Sequence, residues 1–271
     1  MKKKLSMTDS LLFTQEGAIV TLTLNQPETR NALSTEMLAL LIEAIERINS
    51  DLSVSCMVLT GAGKGFCSGG NINDIHERTG FAAGGPASIR QAMINIFQRL
   101  PRAFQSLEVP SIAAVNGAAY GGGMDIALMC DMRIASKDAV FSQSFIRLGL
   151  LSADGGAWYL PRIVGTSLAN EICLTGDPID ALTAVNYRMV SRVVENDQLL
   201  NETYRLAGRI TAHPPHTVRA TKRLLQQSSL GSLDQSLDLA AALQATLYHT
   251  KDHEEAVGAF IERRVPSYKG E

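Results

Sequence analysis

The chain has 271 residues, 45% hydrophobic and 19% charged, which suits one large domain that buries its core without disulfides or metals. Its formal net charge of −2 offers no basic field for nucleic acid or an anionic membrane, so an anionic ligand needs a local site. The cysteines, Cys56, Cys67, Cys130 and Cys173, form no CxxC pair and lie in or beside apolar runs, which predicts free thiols in a reducing compartment. The basic start Met1-Lys2-Lys3-Lys4 leads into a polar stretch with Asp9, so no signal peptide is expected. Asn116, a glycine run and Asp125 interrupt the least polar segment, so no membrane span is expected, and the location follows as cytoplasmic.

Residues 1–10 read as a tail. Residues 11–15 and 18–25 flank Glu16-Gly17 as a β-hairpin ended by Pro27. Leu38, Leu41, Ile42, Ile45 and Ile48 then recur at helical spacing, with Ser34 or Thr35 as cap. A buried strand over 54–60 enters the turn Gly61-Ala62-Gly63-Lys64-Gly65, and residues 78–88 form a glycine-rich loop. Residues 89–107 read as helix, kinked or broken at Pro101. A second buried strand, 111–115, meets Asn116-Gly117 and the run Gly121-Gly122-Gly123, followed by an apolar helix over 124–130. Short strands are expected at 132–135 and 140–141, and mostly helix from Ser167 onward, with a break at His213-Pro214-Pro215-His216. Leu233, Leu237, Ala240, Leu243 and Leu247 make a broad apolar stripe, which fits either an interface or packing on the chain's own core.

The first glycine turn lacks the spacing of a dinucleotide fingerprint and the terminal hydroxyl of a phosphate loop. The two turns carry more when taken together. Phe66-Cys67-Ser68-Gly69-Gly70-Asn71 and Gly121-Gly122-Gly123-Met124-Asp125 each open a helix, where amides lack intrahelical partners and carry positive partial charge. Two such amides converging on one point form an oxyanion hole. Asp125, three residues after Gly122, faces the same way, either as a proton-transfer group or as a first-turn acid stabilising its own helix. His249 and His253, four apart on a predicted helix, read as part of a solvated charged face with Asp252, Glu254 and Glu255, and no metal site is expected.

At these residues the sequence resembles the crotonase (enoyl-CoA hydratase/isomerase) superfamily. The matching pieces are Val20 to Pro27 with Arg30-Asn31-Ala32-Leu33, Gly65 to Gly70, Ala113 to Gly117, Gly121 to Asp125 and Cys130-Asp131. Leu174-Thr175-Gly176-Asp177 and the final Ala259-Phe260-Ile261-Glu262-Arg263-Arg264 complete them. The resemblance implies an α/β fold, a spiral of repeated ββα units over 11–200, closed by a helical trimerisation region over 201–271, in a homotrimer or dimer of trimers. It implies an acyl-CoA substrate, no separate cofactor, and oxyanion amides on Gly70 and Gly122. Asn31, Ala32, Leu33 and Ser68 would line the CoA groove, while Phe260 and Arg263 would reach the CoA of a neighbouring subunit. Phe145 and Trp158 would form the pocket wall.

Hydratases of this family use two glutamates. Asp125 matches the first and Phe145 the second, and a phenyl ring cannot move a proton. Asp154, nine residues on, either substitutes as the second carboxylate or caps the helix expected at Gly155. The expected activity is therefore hydration of a 2-enoyl-CoA, with double-bond isomerisation or acyl-CoA binding without turnover as alternatives.

Overall fold

The structure is a computed structural model that describes residues 3–4 and 8–271. Of the expected amino-terminal tail, residues 1–2 and 5–7 lie outside the described residues, and β1 (Lys3–Lys4) pairs with Gln15 and Thr14. β2 (Leu11–Glu16) and β3 (Ile19–Leu24) form the expected antiparallel hairpin. α1 (Thr35–Ser50) starts where the Ser34 hydroxyl accepts from Met37 N–H, a cap worth about 1 kcal/mol. It buries Met37, Leu38, Leu41, Ile45 and Ile48 completely or nearly so, at about 1.5–3 kcal/mol for each large side chain.

Three strand–strand–helix units follow. The first is β4 (Cys56–Gly61), β5 (Gly65–Cys67) and α2 (Ile72–Glu77). After α3 (Pro86–Ala92) and α4 (Arg99–Ser106) comes the second, β6 (Ser111–Val115), β7 (Ala118–Tyr120) and α5 (Gly122–Met129). The third is β8 (Met132–Ser136), β9 (Val140–Ser142) and α6 (Gly156–Val164). Then come α7 (Thr166–Thr175), β10 (Ile179–Asp180), α8 (Ala181–Asn186), β11 (Arg192–Val194), α9 (Leu199–Thr211), α10 (Pro215–Ser228), α11 (Leu233–Leu247) and α12 (Lys251–Glu262).

In each unit the first strand joins one sheet and the second strand another. The larger sheet runs β1-β2-β3-β4-β6-β8-β11, parallel from β3 onward. The smaller runs β10-β9-β7-β5, with β9, β7 and β5 parallel. This is the expected α/β spiral. Its core fills the space between the sheets and α1, α4 and α5, while α9 covers the opposite face of the larger sheet through Leu199 and Ala207. α9 thus packs on the larger sheet as a second cluster, separate from the main core.

The helix expected over 89–107 breaks before Pro101. A π-helical turn over Met93–Phe97 ends at Gln98, and Pro101 then falls in the first turn of α4, where a missing N–H costs no helical bond. His249 and His253 do not share a helix, because α11 ends at Leu247 and Thr250 caps α12. Nor is Asp252 solvated. It is buried and accepts from the Lys269 and Gly270 amides, each at 2.8 Å. All four cysteines are free thiols. Among the described residues no helix is long and apolar enough to cross a membrane.

Candidate active site

Parallel pairing of β5 with β7 sets their two following turns side by side. A side chain on Gly69 would begin 2.6 Å from the Tyr120 carbonyl oxygen and 3.2 Å from the Gly122 nitrogen, so only glycine allows the approach. The Leu33 N–H donates to the Gly69 carbonyl at 2.8 Å, and Leu33 bridges Gly70. Gly122 is the first residue of α5, so its amide has no intrahelical acceptor. The structure therefore brings Gly70, Gly122 and Leu33 together.

Asp125 lies on α5, fully buried, with two donors. Gln143 Nε2 reaches Oδ1 at 2.5 Å and Ser152 Oγ reaches Oδ2 at 2.7 Å. Asp154 lies within hydrogen-bonding reach of Asp125. Asp154 does not cap α6. Gly155 occupies the cap position, and the α6 amide of Ala157 donates to Ser152 Oγ at 3.3 Å instead. A Cβ on Gly122 would stand 2.8 Å from Asp154 Oδ2 and 3.0 Å from Leu33 Cδ1, which places Asp154 directly beside the second oxyanion turn. Its other oxygen, Oδ1, is buried without a hydrogen-bond partner. The loop carrying Asp154 is held from below by Gln98, whose Nε2 donates to the Ala153 carbonyl at 3.2 Å. The π-helical turn thus serves the site, as such irregular turns often do.

Burial above all, and then the negative charge of Asp154, hold the Asp125 carboxyl well above the usual carboxylate range, while Ser152 and Gln143 pull the other way. A carboxyl pushed up in this way keeps its proton where a free one has already lost it. The folded chain keeps a proton that the unfolded chain releases, so stability should fall as pH rises from the usual aspartate range, near 4, toward neutrality. Asp125→Asn removes this titration. Melting temperatures followed from about pH 4 to 8 should fall more steeply with pH for wild type than for the variant; parallel curves would show that the buried proton is absent.

The remaining expected residues divide. The Asn31 carboxamide is fully buried and cannot line the groove with its own side chain. It donates to the carbonyls of Ala62, Gly65 and Phe66 at 3.0, 2.9 and 3.2 Å and accepts from Gln26 N–H at 2.9 Å, pinning the first glycine turn. Ala32 is half-buried, and Ser68 Oγ donates to the Thr29 carbonyl at 3.1 Å, so both stay at the groove edge. The Phe145 ring lies 3.5 Å from where a side chain on Gly121 would begin, at the mouth of the second turn. Trp158 instead lines an outer cleft between α4 and α6, with Pro101, Arg102 and Gln105, and carries the Arg162 guanidinium 4.0 Å from its ring centre. Phe260 is 85% exposed and Arg263 ends α12, both outside this cluster in the single chain. Gln143 and Ser152 escaped the sequence reading, because a glutamine at a strand end and a serine in a loop carry no periodic or motif signal.

Comparison with known proteins gives the chain's family. The family described as enoyl-CoA hydratase/isomerase matches residues 14–271. A 1,2-epoxyphenylacetyl-CoA isomerase of Escherichia coli K12 is 33% identical over 97% of this chain and 100% of its own length. A 2,3-dehydroadipyl-CoA hydratase of the same organism is 34% identical over 96% and 98%. The crystal structure of an enoyl-CoA hydratase from Bacillus anthracis superposes with a TM-score of 0.90 at 31% identity, covering 97% of this chain and 100% of that one. With paired glycine turns at the ends of two parallel strands and a carboxylate beside them, the chain belongs to the enoyl-CoA hydratase/isomerase family of the crotonase superfamily.

Proposed function

We propose that this enzyme moves a double bond within an enoyl-CoA, converting a 3-enoyl thioester to the conjugated 2-enoyl thioester. The place of Asp154, directly beside the second oxyanion turn and in reach of Asp125, carries the reading. Water addition in hydratases of this kind uses two carboxylates that hold water between them, whereas Phe145, which matches the second glutamate in sequence, offers no carboxylate. Asp154 beside the oxyanion turn, with Asp125 kept protonated by burial, suits a proton moved from one carbon to another.

Asp154 removes the proton from the α-carbon. The electron pair moves onto the thioester oxygen, held by the amides of Gly70 and Gly122, and collapses back as the same proton is delivered to the γ-carbon. Nothing is added and nothing leaves. Such amides are worth about 10²–10³ in rate apiece. Asn31 supports the CoA groove by fixing the turn beneath it, and buried Leu33 backs it, while Ala32 and Ser68 meet the ligand along its edge.

Assembly belongs to the same reading. Leu233, Leu237, Val257, Phe260 and Ile261 expose apolar surface along α11 and α12, which supports burial against further copies of the chain in a trimer or dimer of trimers.

The test follows ultraviolet absorbance of the conjugated thioester. With a 3-enoyl-CoA the absorbance should rise. Absorbance that instead falls on incubation with a 2-enoyl-CoA, with no activity on the 3-enoyl isomer, would establish hydration, for which a pair holding one proton also offers an acid and a base. No change with either, despite CoA-thioester binding, would leave a binding protein.

A further inference from the structure

Ser152 stands where the loop carrying Asp154 crosses the helix carrying Asp125. Its Oγ donates to Asp125 Oδ2 at 2.7 Å and accepts from the Ala157 N–H, in the first turn of α6, at 3.3 Å. A hydroxyl has one proton and two lone pairs, so it can serve both partners at once. The amide belongs to the positive end of α6, and a hydroxyl polarised by it becomes a stronger donor to the carboxylate behind it. Two residues further along the same loop is Asp154, so the bond that steadies Ser152 also fixes the second carboxyl against the first.

The surroundings leave few alternatives for this task. From β5, the Cys67 thiol is pushed up to about 12 by burial, so it stays neutral beside the pair. From α7, the Cys173 thiol is raised by burial and then by Asp125 itself. Gln143, at the end of β9, is the other donor to Asp125, but its own Oε1 is buried and unpartnered, so nothing polarises it in turn.

We propose that Ser152 is a positioning residue for proton transfer: its hydroxyl relays the positive end of α6 onto buried Asp125 and so keeps the Asp125 proton transferable. Without this donor only Gln143 would offset burial and the charge of Asp154, and Asp125 would give up its proton only at higher pH. The inference rests on the carboxyl pair acting as acid and base, but not on which product is released.

The experiment is therefore exchange of the α-hydrogen of butyryl-CoA in deuterated water, followed from about pH 5 to 9 for wild type, Ser152→Ala and Ser152→Thr. The Ser152→Ala profile should move upward by about one pH unit, the amount one donor to a charged carboxyl supports. Ser152→Thr, which keeps the hydroxyl, should restore the wild-type profile. A Ser152→Ala profile that keeps its wild-type position, whatever its height, would overturn the proposal, as would Ser152→Thr behaving like Ser152→Ala. Exchange reports enolate formation whatever follows it, so failure of the isomerase assay would leave this result standing. Exchange that survives Asp154→Asn would sink the role of the pair and Ser152 with it.

Discussion

Asp154→Asn is expected to lower turnover about 10²–10⁴-fold while leaving acyl-CoA affinity within a few-fold of wild type. The substitution keeps size and shape, so the neighbours of Asp154 at Gly122 and Leu33 remain in place. What it removes is the ability to take up a proton at the oxygens beside the oxyanion turn. It also removes the negative charge that helps hold the Asp125 proton, so Asp125 becomes easier to ionise but lies buried behind the variant side chain. Steady-state rates on the enoyl-CoA substrate, together with the dissociation constant of a saturated acyl-CoA, separate these terms. A rate within tenfold of wild type would move the proton-transfer role from Asp154 back to Asp125.

Gly156→Ala should damage stability and activity together. A Cβ there would stand 1.8 Å from Asp125 Oδ1, with the carboxyl carbon 2.4 Å away. Asp125 cannot retreat, being fully buried and held by Gln143 and Ser152, so α6 must shift. Overpacking of this kind costs about 1–3 kcal/mol or more. Because α6 follows directly from the loop of Asp154, the shift also separates the pair, and a displacement near 1 Å can cost about 10²-fold in rate. Chemical unfolding and turnover should fall together. Loss of stability with full activity would mean that the pair tolerates a different spacing.

The sequence made much of this plain, and the reasons are local. The hairpin, α1 and β6 announce themselves through alternation, through helical spacing behind Ser34, and through an unbroken apolar run. β5 and β7 stayed hidden because each is three residues long, too short for any period, and both read as part of a glycine turn. Their absence concealed the smaller sheet, yet the glycines marked the right places. The pairing of Asp125 with Asp154 depends on α5 and the loop before α6 meeting in space, 29 positions apart in the chain. No spacing rule reaches that far. Asn31 was legible as important but not as what it is, since only the fold reveals a carboxamide buried under three carbonyls.

The strand order of the larger sheet has a meaning for how the protein is made. From β2 through β3, β4, β6 and β8 to β11, each strand is laid beside one already synthesised, never between two. A ribosome releasing about 5–20 residues per second can thus extend the sheet as the chain emerges, with no finished edge to reopen. Every residue of the carboxylate pair and both glycine turns lies before α6 ends at Val164, so the chemical centre can close while the last hundred residues are still being translated.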